Sequence, residues 1–399
     1  MIDEKVIDKL VERLTKRIEK ANTIFLTSIG ESISKIGKLS PSKAHQLIQI
    51  LKFGGNYDKI VQEISRLTNL NINEIDSIFE EYAKQDQLFY KKFYQYKGIS
   101  FYEYGNNPAL IRQTQALANI SKGIMSNFAK TSAIGYSIRD LQGNITFMGL
   151  KETYNTILDQ ALLNVGQGKE TFDQSMKGIL KELGGSGLRT LDFESGRSVR
   201  LDSMVRMHLK SSLRELHNEN QKMFGEEFGS DGIEVSVHLN PAPDHTDVQG
   251  HQFTNEEFDR LQSYGYAKDV NDRTIDLYRS DSATDFRPIS ELNCYHYVFN
   301  IVIGASKPEY SEEQLEEIKQ KNLDGFILDG KHYTNYQGTQ MQRKLETEIR
   351  KQRDILTLAK TSNNTSLVNE TNLKINALKL RYKELSDLSG LKPKMKRLR

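Results

Sequence analysis

Eight histidines and a single cysteine are the side chains of this sequence best suited to bind a metal or act as a nucleophile. Four of the histidines, His238, His245, His251 and His296, fall in one stretch with Cys294. The pattern is His-x6-His-x5-His, a long gap, then Cys-x-His. Imidazole nitrogen and thiolate sulfur are the ligands zinc prefers, and four of them close a tetrahedral site. In a unit with few apolar residues such a clip would add folding energy. Two features count against it. The spacing matches no established zinc signature, and in a regular strand Cys294 and His296 point to opposite faces. A buried hydrogen-bonded cluster that pins the loop is the preferred reading. No cofactor is expected, and a structural zinc on His238, His245, His251, Cys294 and His296 is the alternative.

Two catalytic readings use the same residues. Asp244, His245 and Cys294 can be drawn as a nucleophilic triad, but no local protease signature surrounds them. Asp244, His245 and Asp247 can be drawn as ligands of a metal-dependent enzyme acting on nucleic acid, with a base for water. Gly166-Gln167-Gly168 lacks the third glycine of a dinucleotide loop, and no phosphate-binding loop occurs. The expectation is a protein that is not an enzyme and takes no small-molecule substrate.

The elements that must position these residues are mainly helical. Ile7, Leu10, Leu14 and Ile18 step by three and four, which puts them on one helical face. Ser40-Pro41 reads as a helix start and Gly54-Gly55 as its end. A charged helix is expected over 73–97, ending in the aromatic run Phe89, Tyr90, Phe93, Tyr94 and Tyr96. That run is expected to pack on a neighbouring helix or subunit rather than stack on bases. Leu117, Ile120 and Ile124 mark another helical face, and 135–149 reads as a loop or short strands. Helices resume at 150, with Leu158, Ala161, Leu162 and Val165 on one side. Gly184-Gly185-Ser186-Gly187 reads as a flexible breaker, and a further helix is expected over 202–228. From Gly232 the texture changes. Ile233, Val235 and Val237 alternate with polar residues as in a half-buried strand, a loop-rich region follows to about 290, and 295–303 reads as a second strand. Asp329-Gly330 between two short β-prone runs signals a tight hairpin. Leu345, Ile349, Gln352, Leu356 and Ala359, then Ile375, Leu378, Tyr382 and Leu385, give two helices joined by the polar turn Asn363-Asn364-Thr365.

The fold class expected is mainly α with a small α+β unit. The regions are an elongated helical N-terminal part (1–135), a helical middle (136–230), an α+β core (231–339), an antiparallel helical hairpin (340–390) and a basic tail (391–399). Hydrophobic residues make up 37% of the 399 and charged residues 27%, a balance suited to extended helices with much exposed surface. The net charge is only +2, so any nucleic-acid contact must come from a local cluster. Lys392, Lys394, Lys396, Arg397 and Arg399 of the tail are the candidates. One cysteine excludes an internal disulfide framework. The first twenty residues have no apolar segment of the signal-peptide kind, and no stretch approaches 18 uninterrupted apolar residues, so no membrane span is expected.

Four short segments carry a resemblance. Val235-Ser236-Val237-His238, Pro243-Asp244-His245, Gln249-Gly250 and Asn293-Cys294-Tyr295-His296 follow one another in an order that resembles the phage minor capsid protein 2 family, a relative of the Mu F-like head morphogenesis proteins. Ser195-Gly196-Arg197 and Leu201-Asp202-x-x-Val205-Arg206 upstream extend it. So do Gly330-Lys331-His332-Tyr333-Thr334 and Gln340-x-Gln342-Arg343-x-Leu345-Glu346-x-x-Ile349-Arg350 downstream. The resemblance covers about 150–390. This chain has Ala242 and Tyr295 where the family often has arginine, which removes support for anion binding or catalysis by the cluster. The resemblance implies a structural minor protein of a tailed-phage head, made in the host cytoplasm and lodged in the head interior. Its implied partners are the portal protein and capsid subunits, with packaged DNA as a further contact, and its implied role is head assembly at the portal vertex. A metal-dependent enzyme carried in the head and acting on nucleic acid is the alternative.

Overall fold

A helix that is apolar on several faces must be covered on several sides, and that requirement organises the molecule. The helix is α1 (Glu4–Ile36), in which Ile7, Leu10, Leu14 and Ile18 are buried together with Val11, Phe25, Leu26 and Ile29. The structure, a computed structural model, describes residues 4–398 except 54–55, 131, 141–142, 192–195, 278–285, 291–293 and 295. The proposed helix end at Gly54-Gly55, together with Ser195, Asn293, Tyr295 and Arg399, therefore lies outside the described residues.

After α1 come α2 (Pro41–Phe53), α3 (Asn56–Lys97), α4 (Pro108–Ala129), β1 (Ile134–Arg139), β2 (Ile145–Gly149), α5 (Leu150–Asn164), α6 (Lys169–Ser186), β3 (Arg189–Leu191), β4 (Ser198–Arg200) and α7 (Leu201–Phe228). The α+β segment follows with β5 (Gly232–Val235), β6 (Gln252–Thr254), α8 (Asn255–Tyr264), β7 (Tyr266–Lys268), β8 (Thr274–Asp276), β9 (Val298–Ile301), α9 (Glu312–Asp324), β10 (Phe326–Leu328) and β11 (Lys331–Tyr333). The chain closes with α10 (Asn335–Thr361) and α11 (Thr365–Ser389). The fold is thus mainly α with small antiparallel sheets, ordered β2-β1-β3-β4, β6-β5-β9, β7-β8 and β10-β11. No helix among the described residues is long and apolar enough to cross a membrane.

α1 packs against α3, α5, α7 and α10, so the first and last helical parts of the chain share one core. Two glycines set the close approaches. A Cβ on Gly30 of α1 would sit 1.9 Å from Thr361 Oγ1, and one on Gly184 of α6 would sit 2.7 Å from the Ile355 backbone nitrogen. Gly184 is therefore a packing position inside a helix, not part of a flexible breaker. Only Gly187, at φ 62°, ends α6.

Two further expectations are corrected. α3 begins at Asn56 rather than near 73. The weak helix formers around Asn71 stay helical because its amide donates to the Leu14 carbonyl of α1 (3.1 Å) and its Oδ1 accepts from Arg17 (3.3 Å). On α4 the buried face is Leu110, Thr114, Ala118, Ser121 and Met125, while Ile120 stays 56% exposed. Polar pairs hold this face, Gln113 to Asn220 (3.0 Å) and Ser121 to His208 (3.0 Å), so the apolar spacing did not mark the inward side.

The aromatic run at the end of α3 does pack on a neighbour. Tyr90 meets Phe224 of α7 (4.7 Å between ring centroids), Phe93 meets Phe228 (5.5 Å) and Phe89 meets Phe299 of β9 (5.3 Å). The expected second strand shortens to β9, and Val237 falls beyond the end of β5. α8 buries only Leu261 and α9 only Asn322, too little apolar pattern to read as helices. Both carry side-chain N-caps that were not read: Thr254 caps α8, and Ser311 with Gln314 forms a capping box on α9. In the β10–β11 turn both Asp329 (φ 52°) and Gly330 (φ 74°) have positive φ, as a type I′ hairpin requires.

A buried polar knot ties these layers. Asp202 at the start of α7 accepts from Arg200 (3.2 Å) and from Arg350 of α10. Arg200 also reaches Asp354 (3.1 Å), whose other oxygen accepts from Asn22 of α1 (2.9 Å). Burial pushes Asp202 upward, but Arg200 and Arg350 outweigh it and hold the carboxyl below its ordinary range. For Asp354 burial wins, and its pKa rises to about 6 against the pull of Arg200. From about pH 4 to about pH 6 the folded state keeps a proton on Asp354 that the unfolded chain releases, so this group's contribution to stability is lost as pH rises through that window. Asp354→Asn removes the effect. Relative to wild type, the variant should gain on the order of 2–3 kcal/mol between about pH 4 and 7. Urea unfolding of both proteins across that range checks it, and a constant difference would refute it.

Candidate functional site

The site forms where the β5–β9 ladder ends. Val235 pairs with Val298, and beyond that pair the Ser236 N–H donates to the Tyr297 carbonyl (2.9 Å) and the Tyr297 N–H to Ser236 Oγ (2.8 Å). The two departing segments therefore carry His238 and the Cys294–His296 pair side by side. His245 arrives from a short 3-10 turn, Pro243–His245, in which the proline takes a first-turn position where no donor is needed. Gly250 returns the chain to β5, its N–H donating to the Val235 carbonyl (2.9 Å) at φ 71°. A side chain there would be strained and would meet Leu315 at 2.6 Å.

His245, Cys294 and His296 converge and are almost wholly buried, at 1%, 1% and 2% exposure. Cys294 Sγ lies 3.4 Å from Nδ1 of each histidine. The expectation that Cys294 and His296 face apart is corrected, because both precede β9 and neither lies in a strand. His245 Nε2 is 2.7 Å from the Arg287 carbonyl, and His296 Nε2 is 3.1 Å from Gln249 Oε1. The Gln249 oxygen also accepts the His238 N–H at 2.5 Å. The His238 ring stands edge-on to His296 with centroids 4.6 Å apart. His251 does not join the group; its Nδ1 pairs with Asp269 at 2.8 Å.

Burial pushes the Cys294 thiol up and the His245 imidazole down. His296 goes well below its ordinary value, by burial first and then by His238 and His245 beside it. A raised thiol is the opposite of what an activated nucleophile needs. The drawn triad is not assembled either: His245 spends its Nε2 on the Arg287 carbonyl, and Asp244 sits 4.0 Å from that nitrogen while pairing with Arg287 at 3.0 Å. Asp247 pairs with Lys319 of α9 (2.8 Å), so the two carboxylates of the nuclease reading are engaged with cations.

Beside the cluster opens a cavity of about 860 Å³ between the α+β segment, α7, α10 and the tail. Lys210, Arg214, Arg287, Arg343, Lys394 and Arg397 line it, with Glu346 as the acidic side chain among them. Sequence reasoning reached the tail residues but missed Lys210 and Arg214, whose i, i+4 spacing puts them on one face of α7. The tail docks rather than hangs free. Leu398 is buried, Arg397 lies 3.7 Å from Glu346 and 4.0 Å from Asp8, and the Lys394 N–H donates to Tyr382 Oη at 2.9 Å. Lys392 is exposed. Nothing is described for the Lys396 side chain.

Fold and site together define a mainly helical protein built around a buried histidine–cysteine group, with a basic cleft next to it. A family model described as phage minor capsid protein 2 matches residues 2–386, and the chain belongs to that family. It is a structural minor protein of a phage capsid, at home in the virion among virion proteins. No curated protein and no solved structure matches it.

Gln249 holds one buried and one part-buried donor with a single oxygen, so Gln249→Leu should cost about 2 kcal/mol. A lowered urea midpoint with unchanged far-ultraviolet circular dichroism is the expected result. An unaltered midpoint would mean that the two donors find other acceptors.

Proposed function

We propose that this protein is a few-copy component of a tailed-phage head, made in the host cytoplasm and installed at the portal vertex during assembly. It lies in the head interior, touches portal and capsid subunits, and works as a structural part rather than an enzyme. The observation that carries this reading is the family match over nearly the whole chain. The exposed apolar side chains of α4, Ile120 and Ile124, supply contact area of the kind a subunit partner covers. The basic cleft and the exposed Lys392 suit the phosphate backbone of packaged DNA. Some of those cations already hold carboxylates, Lys210 with Asp8 (2.6 Å) among them, so a DNA contact there would be weak and salt-sensitive.

Quantitative mass spectrometry of purified virions, before and after triggered DNA release, is the test. A few copies per particle are expected, and their disappearance on release would mean the protein leaves with the genome. Abundance in the lysate with none in the particle would overturn the reading.

A further inference from the structure

We infer that His245, Cys294 and His296 form a binding site for a zinc-class metal ion, with the His238 ring beside it. The inference rests on the geometry of this group and not on the capsid role.

The tautomers are fixed by their partners. A carbonyl oxygen only accepts, so His245 Nε2, 2.7 Å from the Arg287 carbonyl, carries the hydrogen. Gln249 presents its oxygen to His296, because that same oxygen takes the backbone N–H of His238. His296 Nε2 is therefore also the protonated nitrogen. Both Nδ1 atoms are left with lone pairs, and both lie 3.4 Å from Cys294 Sγ. One thiol has one proton, which can serve one of these lone pairs and not both. A cation replacing that proton satisfies both nitrogens and the sulfur at once.

The sulfur–nitrogen distances agree. Zinc bonds of about 2.3 Å to sulfur and about 2.0 Å to nitrogen at a tetrahedral angle place S and N about 3.5 Å apart. All three ligand atoms lie within 4.8 Å of one another. Each histidine has its far N–H on an acceptor oxygen, the outer-shell arrangement that orients metal-bound imidazoles. The backbone N–H of His296, 3.4 Å from Sγ, would help stabilise a thiolate. The cavity adjoins the group and is lined by His238 as well, whose ring centroid lies 4.6 Å from that of His296. Two nitrogens and one sulfur, without a carboxylate, select zinc or its surrogate cobalt(II) over magnesium or calcium.

The test uses the full-length protein. Elemental analysis of protein purified without chelator should find about one zinc per chain. Chelated protein should melt several degrees lower and recover on adding zinc. Cobalt(II) should give the visible bands of a tetrahedral site together with a sulfur-to-cobalt charge-transfer band. Cys294→Ser should lose the charge-transfer band, His245→Ala should weaken binding at least tenfold, and His251→Ala should bind as wild type does. Wild-type protein that holds no zinc, shows no tetrahedral cobalt spectrum and melts identically with and without zinc would overturn the inference, whatever the variants do.

Discussion

Buried charge is the constraint on which the rest of this structure depends. Arg200, Asp202, Arg350 and Asp354 are all largely withdrawn from water, and the two guanidinium groups are held there by the Asp202 carboxylate between them. Asn22 carries the knot into α1, its Oδ1 accepting from Tyr136 Oη (2.8 Å) and from the Leu188 N–H (3.0 Å). α1, β1, the approach to β3, α7 and α10 are thereby held in one register. Removing Asp202 would leave Arg200 and Arg350 without the carboxylate they share, at a cost of roughly 3–5 kcal/mol. Apolar packing would hold these helices together without such a knot, but it would not fix how far one slides along another.

A second polar network attaches the α+β segment. His217 of α7 pairs through Nδ1 with Asp86 of α3 (2.8 Å), and its Nε2 lies 3.1 Å from the Val298 carbonyl. Gln221, one turn further on, takes the Asn300 N–H at 3.1 Å. β9 is thus seated on α7, and the rings of Phe89, Phe93, Phe228 and Phe299, in contact with one another, close the same joint. Cys294 and His296 lie just before β9, so the position of the buried cluster follows from this attachment. Both networks run through α7, and so does one wall of the basic cleft, through Lys210 and Arg214. A displacement of α7 would be felt at the knot, the cluster and the cleft together.

Much of this was legible along the chain. The terminal hairpin, the Asp329-Gly330 turn, the extent of α7 and the aromatic contact surface of α3 all follow from local spacing, because helix periodicity, turn chemistry and side-chain size act over a few residues. The order of short motifs was legible too, and it pointed to the family. In the folded chain two of those motifs prove to be partners: Asp202 and Arg350, 148 positions apart, form an ion pair at the centre of the knot.

What the sequence could not decide was convergence. Alternation in a strand set Cys294 and His296 apart, whereas their place just ahead of β9 brings both onto His245. Neighbouring places in one run grouped His251 with His245, yet Asp269 holds the one and the Arg287 carbonyl the other. A glycine run read as loose became, at Gly184, a close approach of α6 to α10. Local pattern settles which residues share a face of their own element. Which side chains meet is settled by strand pairing and buried charge between residues far apart in the chain, and only the tertiary structure contains those.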